Sequence, residues 1–146
     1  ALLIECDRHL WLVRYAAGSR WAGLWDFPRL ILAENPDHVP PPATMGLASI
    51  AEAMQTAWSF PLTVEGHLLR LRYPITRYRV VLDVFLAKVP GQIRYNPTSL
   101  PAGVEESRWF HVRQAQRLPV PSSTRRVLHA WFDRHGTTSR EENETP

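Results

Sequence analysis

A single cysteine, Cys6, is the only thiol in this 146-residue chain. One thiol cannot close an internal disulfide, and it cannot build a four-cysteine zinc or iron–sulfur site. Cys6 is expected to be a small core residue. Long apolar runs are also missing: no stretch approaches the roughly 20 residues that a membrane helix requires. No charged-then-apolar leader precedes the first strand-like segment. The resulting expectation is a cytoplasmic protein with no membrane partner. The chain opens at Ala1, already strand-like and without an initiator methionine, so it is expected to be a fragment of something longer.

What is present fits one globular domain, with 45% hydrophobic residues and a length sufficient for one core. The net charge is +3, and the stretch Gly136 to Pro146 nets −2, so residues 1–135 carry +5. The expected division is a folded body over residues 1–135 and a polar, disordered tail over residues 136–146.

Leu2–Cys6 and Leu10–Arg14 are apolar runs joined by Asp7-Arg8-His9, which reads as a hairpin. Pro36, Pro40, Pro41 and Pro42 make the stretch from Glu34 to Thr44 an exposed loop, since neither helix nor central strand tolerates them. From Gly46 to Trp58 the residues Leu47, Ile50, Ala51, Met54, Ala57 and Trp58 recur at helical spacing. Residues Leu62 to Tyr73 and Tyr78 to Val89 read as paired strands interrupted by Pro74-Ile75-Thr76-Arg77. Another loop spans Pro90 to Gly103. A short strand covers Glu106 to Val112, and Pro121-Ser122-Ser123 opens a last helix whose inward face is Val127, Leu128, Trp131 and Phe132. The order is β-β-β-α-β-β-β-α, an α+β layout with a mixed sheet flanked by helices.

The densest segment is Trp21-Ala22-Gly23-Leu24-Trp25-Asp26-Phe27-Pro28. Gly18 and Gly23 can adopt positive φ, while the rings anchor the loop against a core. A well-packed turn and strand would account for it. With Arg20 before it and the strand Leu10–Arg14 upstream, however, the segment resembles the C-terminal, Nudix-like domain of the adenine DNA glycosylases (MutY). That family carries a Gly-x-Trp-Ala-Gly-Leu-Trp-Glu/Asp-Phe-Pro segment there. Arg108-Trp109-Phe110, Leu118-Pro119-Val120-Pro121 and Arg125-Arg126-Val127-Leu128 resemble its closing elements. The likeness runs from Leu2 to about Phe132.

The resemblance implies a Nudix-like fold and a lesion-recognition role in base excision repair, within an enzyme that removes adenine paired with 8-oxoguanine. Its implied partners are double-stranded DNA containing that mispair and the N-terminal catalytic domain of the same protein, in a bacterial, nucleoid-associated setting. The family's catalytic acids, helix-hairpin-helix and iron–sulfur cluster belong to that other domain. No cofactor, metal or catalytic residue is therefore expected in this chain. Active Nudix hydrolases need several carboxylates on one helix, because Mg²⁺ takes hard oxygen ligands and bridges phosphates. The helix here offers only Glu52, which makes diphosphate hydrolysis an unfavoured reading.

A hairpin rich in cations is the second feature. Arg70, Arg72, Arg77 and Arg79 accumulate with His67, and no acidic residue occurs between Glu65 and Asp83. Alternate strand positions share a face, so Arg70 and Arg72 can grip phosphates together, as can Arg77 and Arg79. A solvated face with arginines paired to Glu5, Glu65 or Asp83 is the competing reading. The resembling family places a phenylalanine, a serine or threonine, and a histidine at the turn, where they reach 8-oxoguanine. The matching residues here are Ile75, Thr76 and Arg77. The Thr76 hydroxyl is the candidate lesion contact, Ile75 a wedge, and Arg77 a donor to phosphate or base edge. Tyr73 and Tyr78 flank the tip and either stack or pack. A stand-alone Nudix-like module binding a nucleotide or protein, without hydrolase activity, is the alternative; a hydrolase with an unusual ligand set is a further one.

Overall fold

The structure, a computed structural model, describes residues 1–31, 46–59, 61–97 and 99–144, with the side chains of Tyr78, Gln92 and residues 135–144 outside that description. The Pro-rich stretch Glu34–Thr44 lies outside the described residues. β1 (Leu2–Cys6) and β2 (His9–Tyr15) form the first hairpin, with Cys6 opposite His9. Its two turn residues, Asp7 and Arg8, have φ of 50° and 58°. Positive φ at both central positions gives a twist that matches the strands.

β4 (Thr63–Ile75) and β5 (Tyr78–Lys88) form a longer antiparallel hairpin, and β1 runs parallel to β5 with Leu2 opposite Phe85. On its far side β2 pairs with β6 (Val104–His111) from His9 to Tyr15. The short β3 (Trp25–Asp26) meets β2 at Val13 and Arg14. Because β6 occupies one edge of β2 along its length, β1 and β3 share the other edge. The mixed sheet therefore runs β4, β5, β1 with β3, β2, β6.

Alternation along the strands sorts the apolar residues onto two faces. Leu2, Ile4, Trp11, Val13 and Phe85 pack on one side against Ile50, Met54 and Trp58 of α1 (Leu47–Trp58). Trp11 and Trp58 meet edge to face at 5.8 Å. On the other side Leu3, Leu10, Leu12 and Val84 pack against Val127, Leu128 and Trp131 of α3 (Ser122–Glu144). One helix on each face makes the α+β, single-domain layout predicted from the element order.

Three local differences have physical causes. The second hairpin closes tightly, so Pro74 and Ile75 belong to β4, and only Thr76 and Arg77 turn. Pro74 is tolerated because β4 is an outermost strand. An additional one-turn helix, α2 (Val112–Ala115), follows β6. His111 caps it: its ring nitrogen accepts from the Arg113 amide, while Gln114 accepts from the His111 amide. Finally, α3 is helical to Glu144, across most of the stretch expected to be a disordered tail. Once Val127, Leu128 and Trp131 hold the early turns on the sheet, later residues extend an existing helix without a new nucleation cost.

Candidate nucleic-acid interface

The β4–β5 hairpin carries the residues singled out from the sequence, and its register decides which of them act together. Arg70 lies opposite Asp83, Arg72 opposite Val81, and Pro74 opposite Arg79. Directly opposed residues share a face. Asp83, Val81 and Arg79 lie at every second position from Phe85 on β5 and share its face, so Arg70, Arg72 and Arg79 all stand on the α1 face. Arg77 sits in the turn. Arg72, Arg77 and Arg79 are exposed and make no ion pair among the described residues.

Arg70 has a different assignment. Its Nε donates to Asp83 Oδ1 and its Nη2 to Asp83 Oδ2, both at 2.8 Å. His67 Nε2 lies 2.9 Å from the same Oδ1. Arg70 is only 18% exposed and Asp83 8%. Burial pushes the Asp83 carboxyl up, but the Arg70 and His67 hydrogen bonds outweigh it and leave it below its ordinary value. The reciprocal bond from Asp83 raises the Arg70 guanidinium. For this arginine the structure favours the competing reading, in which a strand cation is neutralised by a cross-strand carboxylate.

At the tip, Thr76 has φ of +49°. A β-branched side chain rarely adopts the left-handed region, and holding it there costs on the order of 1–3 kcal/mol. The Thr76 hydroxyl donates to the Ile75 carbonyl at 2.8 Å, which commits its hydrogen and leaves its lone pairs to accept. Ile75 is half-buried and pairs with Tyr78, whose side chain lies outside the described residues. Tyr73 packs on the α3 side of the sheet instead of offering a free ring, and its hydroxyl accepts from Arg29 Nη1 at 2.9 Å.

That bond joins the hairpin to a buried polar centre. Asp26 is fully buried. It faces Arg29 Nε at 2.7 Å and accepts from Tyr15 at 3.0 Å, Thr124 at 2.5 Å and the Phe27 amide at 2.8 Å. Arg29 Nη2 also reaches Ser123 at 3.1 Å and Thr124 at 3.3 Å. Burial and the nearby Asp26 raise the Tyr15 phenol above its ordinary value. Burial opposes the Arg29 charge, yet Asp26 and Tyr73 more than compensate and raise it. The centre ties β2, β3 and the start of α3 to β4 three residues before Thr76. It was not anticipated from sequence. The only local sign is an aspartate between Trp25 and Phe27, where an apolar residue would otherwise stand.

The aromatic loop behaves as its composition predicts. Gly18 and Gly23 have φ of 89° and 78°. Gly23 donates to the Tyr15 carbonyl at 3.0 Å, and Trp25 packs edge to face on Phe110 at 4.7 Å. Glu52 is exposed on α1. Among the described residues no three His, Cys, Asp or Glu side chains converge on a common point, and no helix is long and apolar enough to cross a membrane.

Residues 1–130 match the NUDIX domain family, and the chain belongs to it. A MutT protein from Methanosarcina mazei superposes with a TM-score of 0.63 at 19% identity, covering 92% of this chain and 91% of that one. The NUDIX domain of Shewanella oneidensis NrtR, complexed with ADP ribose, gives 0.62 at 16% identity over 91% and 82%. The C-terminal domain of mouse MUTYH, in complex with human PCNA, gives 0.60 at 17% identity over 92% and 86%. Identities this low establish a shared fold and nothing finer. No curated protein sequence matches the chain.

Proposed function

We propose that this NUDIX domain is a DNA-reading module of an adenine glycosylase of the MutY type. In this reading it contacts 8-oxoguanine paired with adenine and performs no catalysis of its own. Base removal then belongs to a separate N-terminal domain with its iron–sulfur cluster, in a bacterial cytoplasm at the nucleoid. Thr76 carries the reading. It has positive φ at the first position of an exposed two-residue hairpin turn, where a β-branched residue is costly, and its hydroxyl is bonded to the adjacent carbonyl. Strain of this kind is commonly retained at sites that bind.

The chemistry fits the lesion. 8-Oxoguanine presents an N7–H donor where guanine presents a bare N7 acceptor. A hydroxyl whose hydrogen is already given to Ile75 offers an acceptor, so it suits the oxidised base and not the normal one. Arg72, Arg77 and Arg79 surround it with positive charge suited to phosphates. Hydrolysis of a diphosphate is disfavoured by α1, where Ala51, Ala53 and Gln55 surround the lone Glu52. Mg²⁺ bound to phosphates needs more than one carboxylate.

The test is fluorescence anisotropy with duplexes carrying 8-oxoguanine or guanine opposite adenine, over a series of salt concentrations. Replacing Arg72, Arg77 or Arg79 by Gln should flatten the logarithmic salt slope by roughly 0.9 for each phosphate that is no longer neutralised. Arg70→Gln should leave it unchanged, because Asp83 already holds that guanidinium. Thr76→Val should reduce the preference for the oxidised duplex more than it reduces total affinity. Equal weakening on both duplexes would reject Thr76 as the reader. Affinity for a free nucleotide with none for duplex would instead support a stand-alone nucleotide-binding module.

A further inference from the structure

The opposite border of the sheet carries a second basic surface, unused by the proposed function. No acidic residue occurs from Ser107 to Phe132, whereas Arg108, Arg113, Arg117, Arg125 and Arg126 do. Arg125 is committed to the fold: it donates to the Gln116 carbonyl and, at 2.6 Å, to the Leu118 carbonyl. The Trp25 amide donates to the Pro119 carbonyl at 2.9 Å, so the segment after α2 is fastened to both β3 and α3. Arg113 and Arg117 lie one helical turn apart, because the backbone stays helical through Gln116. Both are exposed, with no ion pair among the described residues.

A cleft of about 350 Å³ lies beside them, bordered by Arg108, Phe110, Gln114, Arg117 and Leu118. Phe110 and Leu118 belong to the apolar cluster on the α3 face. Arg108 stands two residues from Phe110 and therefore on the same face, with its guanidinium 5.7 Å from the ring centres of both Phe110 and Trp25. Glu106, which Arg14 also holds at 2.8 Å, pairs with Arg108 and keeps it over those rings. The Arg108 side chain is 59% exposed, so solvent reaches it on the side away from the rings. Gln114 Oε1 accepts from the His111 amide at 3.3 Å, which leaves its NH₂ group to donate. Trp109 also borders the cleft, but its ring packs on the α1 face and its Nε1 donates to the Tyr95 carbonyl at 2.8 Å.

We infer that this cleft is a binding site for single-stranded nucleic acid, in which one unpaired base is held at Arg108 and the flanking phosphates meet Arg117 and Arg113. The base stacks on the solvent side of Arg108, extending the stack already formed with Trp25 and Phe110, and Gln114 donates to its edge. Guanidinium planes and aromatic rings are the surfaces on which unpaired bases stack, and a basic rim tracks the backbone beside them. The cleft is at the small end of the roughly 300–1,000 Å³ usual for ligand sites, which suits one nucleotide. A duplex keeps its base faces stacked inside and would offer this border phosphates alone. An acidic polypeptide would match the charge of Arg113 and Arg117 but brings no flat face to Arg108.

The test is fluorescence anisotropy with a labelled oligothymidylate and an abasic strand of the same length. Both are titrated into the whole chain carrying Arg72→Gln, Arg77→Gln and Arg79→Gln, so that the hairpin does not contribute. The expected result is saturable binding of the thymidylate, with the abasic strand weaker by about fivefold or more, the low end of what one stacked base contributes. Arg108→Gln should bring the thymidylate down to the affinity of the abasic strand. Arg113→Gln and Arg117→Gln should each flatten the logarithmic salt slope by roughly 0.7 on both strands. Equal binding of the two strands, no binding of either, or an Arg108→Gln chain that binds as before would overturn the inference. A duplex or a polyglutamate peptide that matches the affinity of the thymidylate and displaces it would also overturn it, and would reassign the border to duplex backbone or to an acidic protein. The abasic comparison needs no substitution in the cleft, so it decides the matter if the Arg108→Gln chain does not fold. None of these outcomes depends on whether the hairpin reads 8-oxoguanine.

Discussion

Replacing Asp83 by Asn tests both the stability of the hairpin and the division of labour among its arginines. Asp83 is 8% exposed and holds Arg70, itself 18% exposed, through two hydrogen bonds. His67 adds a third at 2.9 Å. Breaking a fully buried pair costs about 3–5 kcal/mol, chiefly because one charge is left without its partner. Partial solvent access to Arg70 lowers that figure, and an asparagine keeps one acceptor, so about 2–3 kcal/mol is expected. For a domain of this size that corresponds to roughly 5–10 °C in Tm.

The pH dependence has a definite sign. The folded-state value of Asp83 lies below its ordinary one, so its stabilisation is complete above the unfolded carboxyl value of about 3.9. It is lost as pH falls through the lower, folded value. Urea unfolding followed by tryptophan fluorescence should therefore show a gap between wild type and D83N at neutral pH that closes below about pH 4. D83N should also free Arg70 beside Arg72 and steepen the salt slope of duplex binding by up to about 0.9. A gap below about 0.5 kcal/mol, typical of a surface pair, or a gap unchanged at about pH 2.5, would refute the reasoning.

Thr76→Gly should raise stability by about 1 kcal/mol, since glycine accepts the positive φ, while abolishing discrimination between oxidised and normal duplexes; a destabilised variant would show that the tip is not strained. Thr124→Val removes a buried donor to Asp26 and should cost about 1–3 kcal/mol in urea unfolding, with little effect on the salt slope of DNA binding. Leu128→Ala opens a cavity between α3 and the sheet and should cost about 2–5 kcal/mol by the same assay.

Much of the architecture was legible from periodicity. The apolar runs Leu2–Cys6 and Leu10–Arg14, joined by turn residues, identified strands, and the spacing of Ile50, Met54 and Trp58 identified the buried stripe of α1. Gly18 and Gly23 marked positions of positive φ, because few other residues adopt it cheaply. The cation-rich hairpin was likewise visible, as a run without acidic residues.

Which cations remain available was not visible. Arg70 and Arg72 are equivalent in spacing, and only the register that sets Arg70 against Asp83 and Arg72 against Val81 separates them. Asp26 and Thr124 are 98 positions apart, yet they share a hydrogen bond in the core. Composition and spacing determine which residues prefer burial, which backbone positions turn, and where charge of one sign accumulates, since those are local preferences. Pairing partners, the side of the sheet each cation faces, and which polar groups satisfy one another were decided only when strands distant in sequence came within hydrogen-bonding distance.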